Sequence, residues 1–194
     1  MAYQSLLRST RQQYHQRIAQ VLESRFPALC ETQPELVAQH YTEAGCYEQA
    51  VRYWQRAGQQ ASGRWAHLEA ISHLRTGIEL LQTLPSTPEH TQQELMLQAA
   101  LGPALMAIKG YTAPEVAHAY ARARELCQQV GETPQLFEIL MGLCVFYQER
   151  GELRTAHALA EQLLHLAQRL HDPIRLLWAH NILGYTLFVM GEVV

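Results

Sequence analysis

The sequence predicts an all-α fold, a right-handed α-solenoid in which antiparallel helical hairpins stack on one another. The first observation is a sequence segment that recurs about every 40 residues. Each copy predicts a helix, a turn at glycine and a second helix that begins on a small residue. Clear copies surround Gly45 and Gly151, and a further copy of the segment begins before Gly191. A hairpin of this length cannot bury its apolar face alone, so we expect the copies to pack against each other.

Helix boundaries are the second observation, because the sequence marks both ends of its helices. A Thr or Asp side chain can accept hydrogen bonds from the free N–H groups of a first turn, and a following proline needs no N–H there. Such starts are found at Thr32-Pro34, Thr87-Pro88, Thr112-Pro114, Thr133-Pro134 and Asp172-Pro173. Glutamate three residues after Thr32 and Thr112 completes a capping box. The predicted stops are Gly45, Gly110, Gly131, Gly151 and Gly191.

Apolar residues at helical spacing are the third observation, and no segment has the alternation of a strand. The predicted helices cover roughly 5–25, 34–44, 48–62, 66–83, 88–108, 114–130, 134–150, 153–170 and 173–190. The first helix has one apolar stripe, formed by Leu7, Tyr14, Ile18, Val21, Leu22 and Phe26. We therefore divide the chain into an N-terminal amphipathic helix within 1–30, which packs on the array, and about four hairpins within 31–194, the last one truncated.

Composition suits a folded cytoplasmic protein and removes several chemistries. The chain has 194 residues, 48% of them hydrophobic, and a net charge of −3. No apolar run approaches a membrane span and no secretory signal is recognisable, so we expect no membrane partner. The four cysteines lack C-x-x-C spacing and are expected to be reduced and mostly buried. Asp172 is the only aspartate, which argues against calcium, magnesium and paired-aspartate sites.

The residues of the recurring segment resemble the tetratricopeptide repeat. That repeat has a bulky residue, Leu-Gly and Tyr on its first helix, then a glycine turn, then small and aromatic residues on its second helix. One copy matches through Leu140, Leu143, Tyr147, Gly151, Ala156 and Ala160, with Cys144 in place of the glycine. A second copy matches through Val37, Ala38, Tyr41, Gly45, Ala50, Trp54 and Ala57, and Leu183-Gly184 with Gly191 starts a third. The repeat register is open over 66–130.

The amino-acid sequence is also similar to the helical-repeat region of large bacterial multidomain signalling proteins. Those proteins are ATPases or regulators of the adenylate/guanylate cyclase type. Three segments carry this resemblance: 34–45, 50–58 and 119–126. The resemblance implies that the chain is part of a longer polypeptide. An ending after the first helix of a hairpin, with an apolar face left uncapped, supports the same expectation.

No motif for catalysis or cofactor binding is found in the sequence. It contains no G-x-x-x-x-G-K-[ST], G-x-S-x-G, H-E-x-x-H or paired C-x-x-C pattern. Histidines spaced by six residues, such as His67 and His73, do not share a helix face, so surface or packing roles are expected. Cys127 and Cys144 lie on apolar stripes and are expected to be buried structural cysteines. We therefore expect no metal, no cofactor and no enzymatic activity in this part of the protein.

Two features leave alternatives open. The basic side chains of the first helix, at Arg8, Arg11, Arg17 and Arg25, fit either a nucleic acid or acidic neighbour, or a solvated helix face. We favour the solvated face because the chain is slightly acidic overall, so nucleic acid is not an expected partner. Trp178 fits either the repeat groove or packing at the end of the array, whereas Trp54 and Trp65 are expected in core or turn packing.

We expect recognition rather than catalysis, with a peptide or a neighbouring domain of the same polypeptide bound in the concave groove of the array. Repeat register assigns eight residues to this groove: Gln39, Glu43, Glu138, Val145, Gln148, Trp178, Asn181 and Tyr185. One alternative is that the groove senses a small-molecule effector. The other is a structural role, either as a spacer or as a self-association module whose C-terminal end at 173–194 forms a homodimer.

Overall fold

A computed structural model describes residues 8–130 and 136–192, and every regular element in those ranges is a helix. The predicted all-α class is therefore confirmed. The helices of the described residues are α1 Arg8–Arg25, α2 Pro27–Thr32, α3 Pro34–Ala44, α4 Tyr47–Gly63, α5 His67–Leu81, α6 Pro88–Lys109, α7 Pro114–Val130, α8 Leu136–Glu149, α9 Leu153–Leu170 and α10 Pro173–Met190. Leu7 and the signals at Gly131 and Thr133-Pro134 lie outside the described residues.

The short helix α2 was not predicted, because its six residues are too few to show a helical period. Pro27 separates it from α1. A proline inside a helix removes one backbone hydrogen bond and clashes with the preceding turn, and it also disfavours helical geometry in the residue before it. Phe26 accordingly has φ −131° and ψ 52°, outside the helical region.

Two of the predicted N-caps are confirmed and one is wrong. Asp172 Oδ1 accepts from the backbone N–H of Ile174 at 3.0 Å and of Arg175 at 3.2 Å. Thr87 Oγ1 likewise accepts from the His90 N–H at 3.2 Å. Thr32, however, belongs to α2, and its hydroxyl donates to the Ala28 carbonyl at 2.9 Å. It therefore cannot cap α3, whose N-cap position is Gln33 with no side-chain hydrogen bond.

The glycine turns share one hydrogen-bond pattern, which confirms the predicted stops at Gly45, Gly151 and Gly191. These glycines have φ of 78°, 73° and 75°, in the left-handed region where a side chain is disfavoured. In each turn the next residue's N–H donates to the carbonyl five residues back: Cys46 to Tyr41 at 3.0 Å, Glu152 to Tyr147 at 2.9 Å and Glu192 to Leu187 at 3.0 Å. The recurrence seen in the sequence is thus repeated in backbone geometry.

Trp65 occupies the left-handed position in a fourth turn of this pattern. The Ala66 N–H donates to the Ala61 carbonyl at 2.9 Å, and Trp65 has φ 62°. A side chain in this region is unfavourable because Cβ approaches the following carbonyl oxygen. The prediction placed Trp65 in core or turn packing. It does lie in a turn, but its side chain is 83% exposed.

The described chain divides into two compact units, and the described residues of the first are 8–104. Helices α4 and α5 approach closely in this unit because Gly58 leaves room for the buried side chain of Leu74. A Cβ at Gly58 would lie 2.5 Å from Leu74 Cγ. Trp54 is buried, and its Nε1 donates to Thr42 Oγ1 at 3.0 Å, so its predicted core position is confirmed.

Helix α1 packs on α3 and α4 with a different face from the one predicted. Ala19 is fully buried, and Glu23 accepts hydrogen bonds from the Tyr41 hydroxyl at 2.5 Å and the Tyr53 hydroxyl at 2.9 Å. Of the predicted apolar stripe, Leu22 is half-buried and packs against the core, whereas four other members are exposed. Its exposed members are Tyr14, Ile18, Val21 and Phe26.

The second unit covers residues 105–194, and its boundary with the first falls inside α6, just after Pro103. The core of the second unit joins α8 to α9 through Leu143, Phe146, Leu159 and Leu163. Tyr120 from α7 packs on Phe146 with 5.5 Å between ring centroids. Across the described residues, no helix has the length and apolar character that crossing a membrane requires.

Candidate functional site

The surface of α10 carries large apolar side chains that the fold leaves uncovered. We define the α10 face as Ile174, Leu177, Trp178, Asn181, Tyr185 and Phe188. Its five apolar members are each between 53% and 70% exposed. The spacing of three and four residues places them along one side of the helix. Ala179, Ile182 and Thr186, on the other side, are buried.

Hydrogen bonds close both ends of α10, and two further hydrogen bonds join it to α8. Asp172 caps its first turn, and the Gly191 turn closes its last. Near the C-terminal end, Gln148 Nε2 of α8 donates to Thr186 Oγ1 at 2.7 Å and to the Ile182 carbonyl at 3.3 Å. The Gln148 contacts therefore lie on the buried side of α10, opposite the exposed α10 face.

The second unit contains six of the eight predicted groove residues. Trp178, Asn181 and Tyr185 belong to the exposed α10 face. Glu138 and Val145 of α8 precede Trp178 and Tyr185 by the interval that separates Gly151 from Gly191, so the predicted repeat assigns them to equivalent positions. Glu138 is exposed and Val145 is half-buried.

Gln148 and the two remaining groove candidates have different surroundings. The amide of Gln148 is bonded to α10, a packing role that its repeat position did not predict. Gln39 and Glu43 are exposed on α3, in the first unit. Glu43 lines a polar depression of about 200 Å³ together with Arg8, Arg11 and Thr42. A binding role for the eight residues stays a prediction.

A cleft in the second unit was not foreseen from the sequence. It has a volume of about 360 Å³ and lies among α7, α8 and α9. Its lining combines the apolar side chains of Leu136, Leu140 and Leu166 with basic side chains at Arg124, His165 and Arg169. The basic residues come from polar faces of two helices, where the local pattern indicates only solvent exposure. Only the packing of these helices brings them to one place.

The two cysteines of the second unit, Cys127 and Cys144, have raised pKa values. Burial raises the pKa of Cys127 to about 11 and is the main cause that raises the pKa of Cys144 to about 12. Both side chains are therefore neutral thiols near pH 7 and not the thiolates that nucleophilic catalysis requires. All four cysteines of the chain are free. Over residues 8–130 and 136–192, no three His, Cys, Asp or Glu side chains are grouped closely enough to hold a metal ion.

The fold and the two surfaces thus define an all-α protein with an exposed apolar helix face and one mixed apolar and basic cleft. No protein-family model matches the chain. It is similar to an uncharacterized protein of Rhizobium meliloti (strain 1021), at 25% identity over 173 residues. That alignment covers 88% of this chain but only 16% of the Rhizobium protein.

Among solved structures, the chain is similar in fold to BtubC (BKLC) from P. vanneervenii, with a TM-score of 0.68. The match covers 95% of this chain and 82% of BtubC. Sequence identity is 14%, so the likeness shows a shared all-helical fold and carries no statement about activity.

Proposed function

We propose that the chain is a non-catalytic recognition module of a larger bacterial signalling protein, built as a right-handed solenoid of tetratricopeptide-like hairpins. The recurrence of one turn geometry at four places supports the repeat architecture. Similarity to a Rhizobium protein of which the chain spans 16% supports a module within a longer polypeptide. Free cysteines suit a reducing compartment, so we place this function in the cytoplasm.

The observation that carries the proposal is the exposure of Trp178 and Tyr185 on the α10 face. Both rings are 53% exposed although they stand on a well-anchored helix. Tryptophan and tyrosine are enriched among the residues that dominate binding energy, because a large rigid ring loses little conformational entropy when it is covered. An exposed patch of this composition indicates a protein-binding surface.

The chemistry of the α10 face defines the kind of partner. Between its apolar side chains lies only Asn181, so the face carries no charge. It therefore favours a protein segment that presents apolar side chains, and it offers nothing to a phosphate backbone or an acidic peptide. From Ile174 to Phe188 the face extends about 21 Å at 1.5 Å per residue. An amphipathic helix of about four turns, from another domain or protein, would cover it.

Capture from bacterial lysate with the full chain tests this proposal, using the double variant Trp178→Ala/Tyr185→Ala. The matched control is Trp65→Ala/Leu68→Ala, which removes similarly exposed apolar side chains from the first unit. We expect a protein that the wild type and the control retain and that the α10 variant loses. Affinity for that protein should fall by roughly 30-fold or more, since two binding hot spots are removed. Equal retention by both variants, or no protein above bare resin, would contradict the proposal.

The same face could be covered by a second copy of the chain, and sedimentation velocity separates the two occupants. We expect a monomer across micromolar concentrations, because the proposed partner is a different polypeptide segment. A concentration-dependent dimer that disappears in Trp178→Ala/Tyr185→Ala would reassign the α10 face to self-association.

A further inference from the structure

We propose that the outward side of α1 binds an acidic amphipathic helix from another protein segment. We define the α1 face as Tyr14, Arg17, Ile18, Val21 and Arg25. It belongs to the first unit, so the inference does not depend on the partner proposed for the α10 face. The α1 face combines exposed apolar side chains with positive charge, and each property restricts the partner.

The apolar side chains of the α1 face form a seam along the helix. Tyr14, Ile18 and Val21 are 56%, 42% and 39% exposed. Together with Arg25 they follow at intervals of four, three and four residues, which is the spacing of the heptad positions that contact a partner helix. From first to last the seam extends about 17 Å at 1.5 Å per residue. A second helix that crosses α1 at a small angle would therefore cover it.

The charge of the α1 face is positive. Arg17 and Arg25 are exposed, and within residues 8–130 and 136–192 neither forms an ion pair. Glu23 is the only carboxylate of α1, and it accepts hydrogen bonds from the Tyr41 and Tyr53 hydroxyls on the packed side. The α1 face itself contains no acidic residue. Guanidinium groups bind carboxylates through two parallel hydrogen bonds, so glutamates beside the seam of a partner helix would complement both arginines.

These properties favour an acidic helix over the other surfaces that a basic helix can bind. Segments that bind anionic membranes through charge have clusters of about four to eight basic residues, whereas Arg17 and Arg25 are the only two on the α1 face. A second copy of the chain would bring one positive face against another, which is unfavourable. An acidic helix with an apolar seam covers the apolar side chains and neutralises the charge at the same time.

Fluorescence anisotropy with two designed peptides tests the proposal on the full chain. Both peptides are labelled three-heptad helices with leucine at the seam positions. One has glutamate and the other has lysine at the flanking positions, so they differ only in charge. We expect the glutamate peptide to bind at least about tenfold more tightly than the lysine peptide. Equal binding of the two peptides, or no binding of the glutamate peptide up to submillimolar concentration, would overturn the proposal.

Charge reversal tests whether the glutamate peptide binds at the α1 face. Arg17→Glu/Arg25→Glu should lose the glutamate peptide and bind the lysine peptide more tightly than the wild type does. The matched control is Arg52→Glu/Arg75→Glu, which makes the same change in net charge at exposed positions of α4 and α5. Circular dichroism and urea unfolding verify that both variants are folded. Equal affinities of the two variants for the glutamate peptide would contradict the assignment to α1.

The apolar contribution is tested with Ile18→Ala/Val21→Ala. This variant should bind the glutamate peptide about five- to tenfold more weakly, because less apolar surface is covered on binding. Trp178→Ala/Tyr185→Ala is the control and should bind as the wild type does. Loss of the peptide in that control, with full binding by Ile18→Ala/Val21→Ala, would place the peptide on the α10 face and overturn the inference.

Two phosphate-rich surfaces could use the same arginines, and competition distinguishes them from a protein helix. Vesicles of phosphatidylserine and phosphatidylcholine, and a DNA duplex of mixed sequence, are added separately to the complex of the full chain with the glutamate peptide. We expect neither to displace the peptide at physiological salt concentration. Displacement by either one, together with loss of its binding in Arg17→Glu/Arg25→Glu, would reassign the α1 face to a membrane or to nucleic acid.

Discussion

At the scale of single residues, the most unusual group is the hydroxyl of Tyr120. The side chain is 2% exposed, and its oxygen has no hydrogen-bond partner among the described residues. Gly142 makes room for it, since a Cβ there would lie 3.0 Å from the hydroxyl oxygen. Burial raises the pKa of Tyr120 well above its usual value near 10. The ring thus stabilises the core while its hydroxyl carries an uncompensated desolvation cost.

Tyr120→Phe should therefore raise the free energy of unfolding at pH 7, by about 1 kcal/mol. The raised pKa also has a pH consequence. Above pH 10 the unfolded chain loses the Tyr120 proton while the folded chain keeps it, so this tyrosine makes wild-type stability fall with rising pH. The gain from Tyr120→Phe should accordingly be larger at pH 10.5 than at pH 7. Urea unfolding at the two pH values measures both effects.

Tyr53→Phe is the control for the Tyr120 experiment, because it removes a hydroxyl that does have a partner. Tyr53 donates to Glu23 at 2.9 Å, so this variant should be less stable than the wild type by about 0.5–1.5 kcal/mol at pH 7. If Tyr120→Phe destabilised the protein as Tyr53→Phe does, the buried hydroxyl would have a hydrogen-bond partner after all.

At the scale of helices, the contact between α8 and α10 depends on a small polar group inside an apolar layer. Thr186 is fully buried, and its hydroxyl accepts from Gln148 Nε2 at 2.7 Å and donates to the Ile182 carbonyl at 2.7 Å. The Thr186 hydroxyl thus has one donor partner and one acceptor partner within the protein. Repeat register placed Gln148 on a binding surface, but in the structure its amide joins two helices.

Thr186→Val should test the strength of this connection, since valine keeps the shape of threonine and removes the oxygen. We expect a loss of about 1–2 kcal/mol in unfolding free energy, because the half-buried amide of Gln148 loses its nearer acceptor. Thr76→Val is the control. The Thr76 hydroxyl donates to the Ser72 carbonyl at 2.9 Å at an exposed position, so its removal should change stability by less than about 0.5 kcal/mol. Equal losses in the two variants would show that the Gln148 contact contributes little.

At the scale of the whole molecule, each of the two compact units contains fully buried leucine side chains. Leu74 is fully buried in the first unit and Leu163 in the second. Most packing in each unit joins helices that follow one another in sequence, as α4 and α5 or α8 and α9 do. Where packing is mainly between helices that are neighbours in sequence, one part of a chain can open without the other.

Leu74→Ala and Leu163→Ala should therefore each weaken mainly their own unit. Each substitution should cost about 2–5 kcal/mol, from lost burial and the cavity that remains. Hydrogen exchange followed by mass spectrometry should show faster exchange within 8–104 for Leu74→Ala and within 105–192 for Leu163→Ala. Each variant serves as the control for the other. Uniform acceleration along the whole chain in both variants would show a single cooperative unit.

The sequence by itself determined the helical class and most helix boundaries, because these depend on residues that are neighbours along the chain. Proline and glycine act on their own turn, so signals such as Asp172-Pro173 and Gly151 could be interpreted locally. Each predicted helix has its counterpart in the structure. The buried side of α1 was predicted wrongly, since Tyr14 and Ile18 are exposed while Ala19 is buried. Which side of a helix is covered depends on helices distant in sequence.

The candidate sites divide in the same way. Trp178 and Tyr185 could be selected from the sequence because repeat register identifies positions on one helix. The cleft could not be predicted, because Arg124 and His165 lie on different helices and only packing brings them together. Gln148 shows the same limit, since its partner Thr186 lies a full hairpin away along the chain. Local chemistry thus determined which segments are helical, and the tertiary structure decided which side chains meet, because contacts between helices depend on the whole packed arrangement.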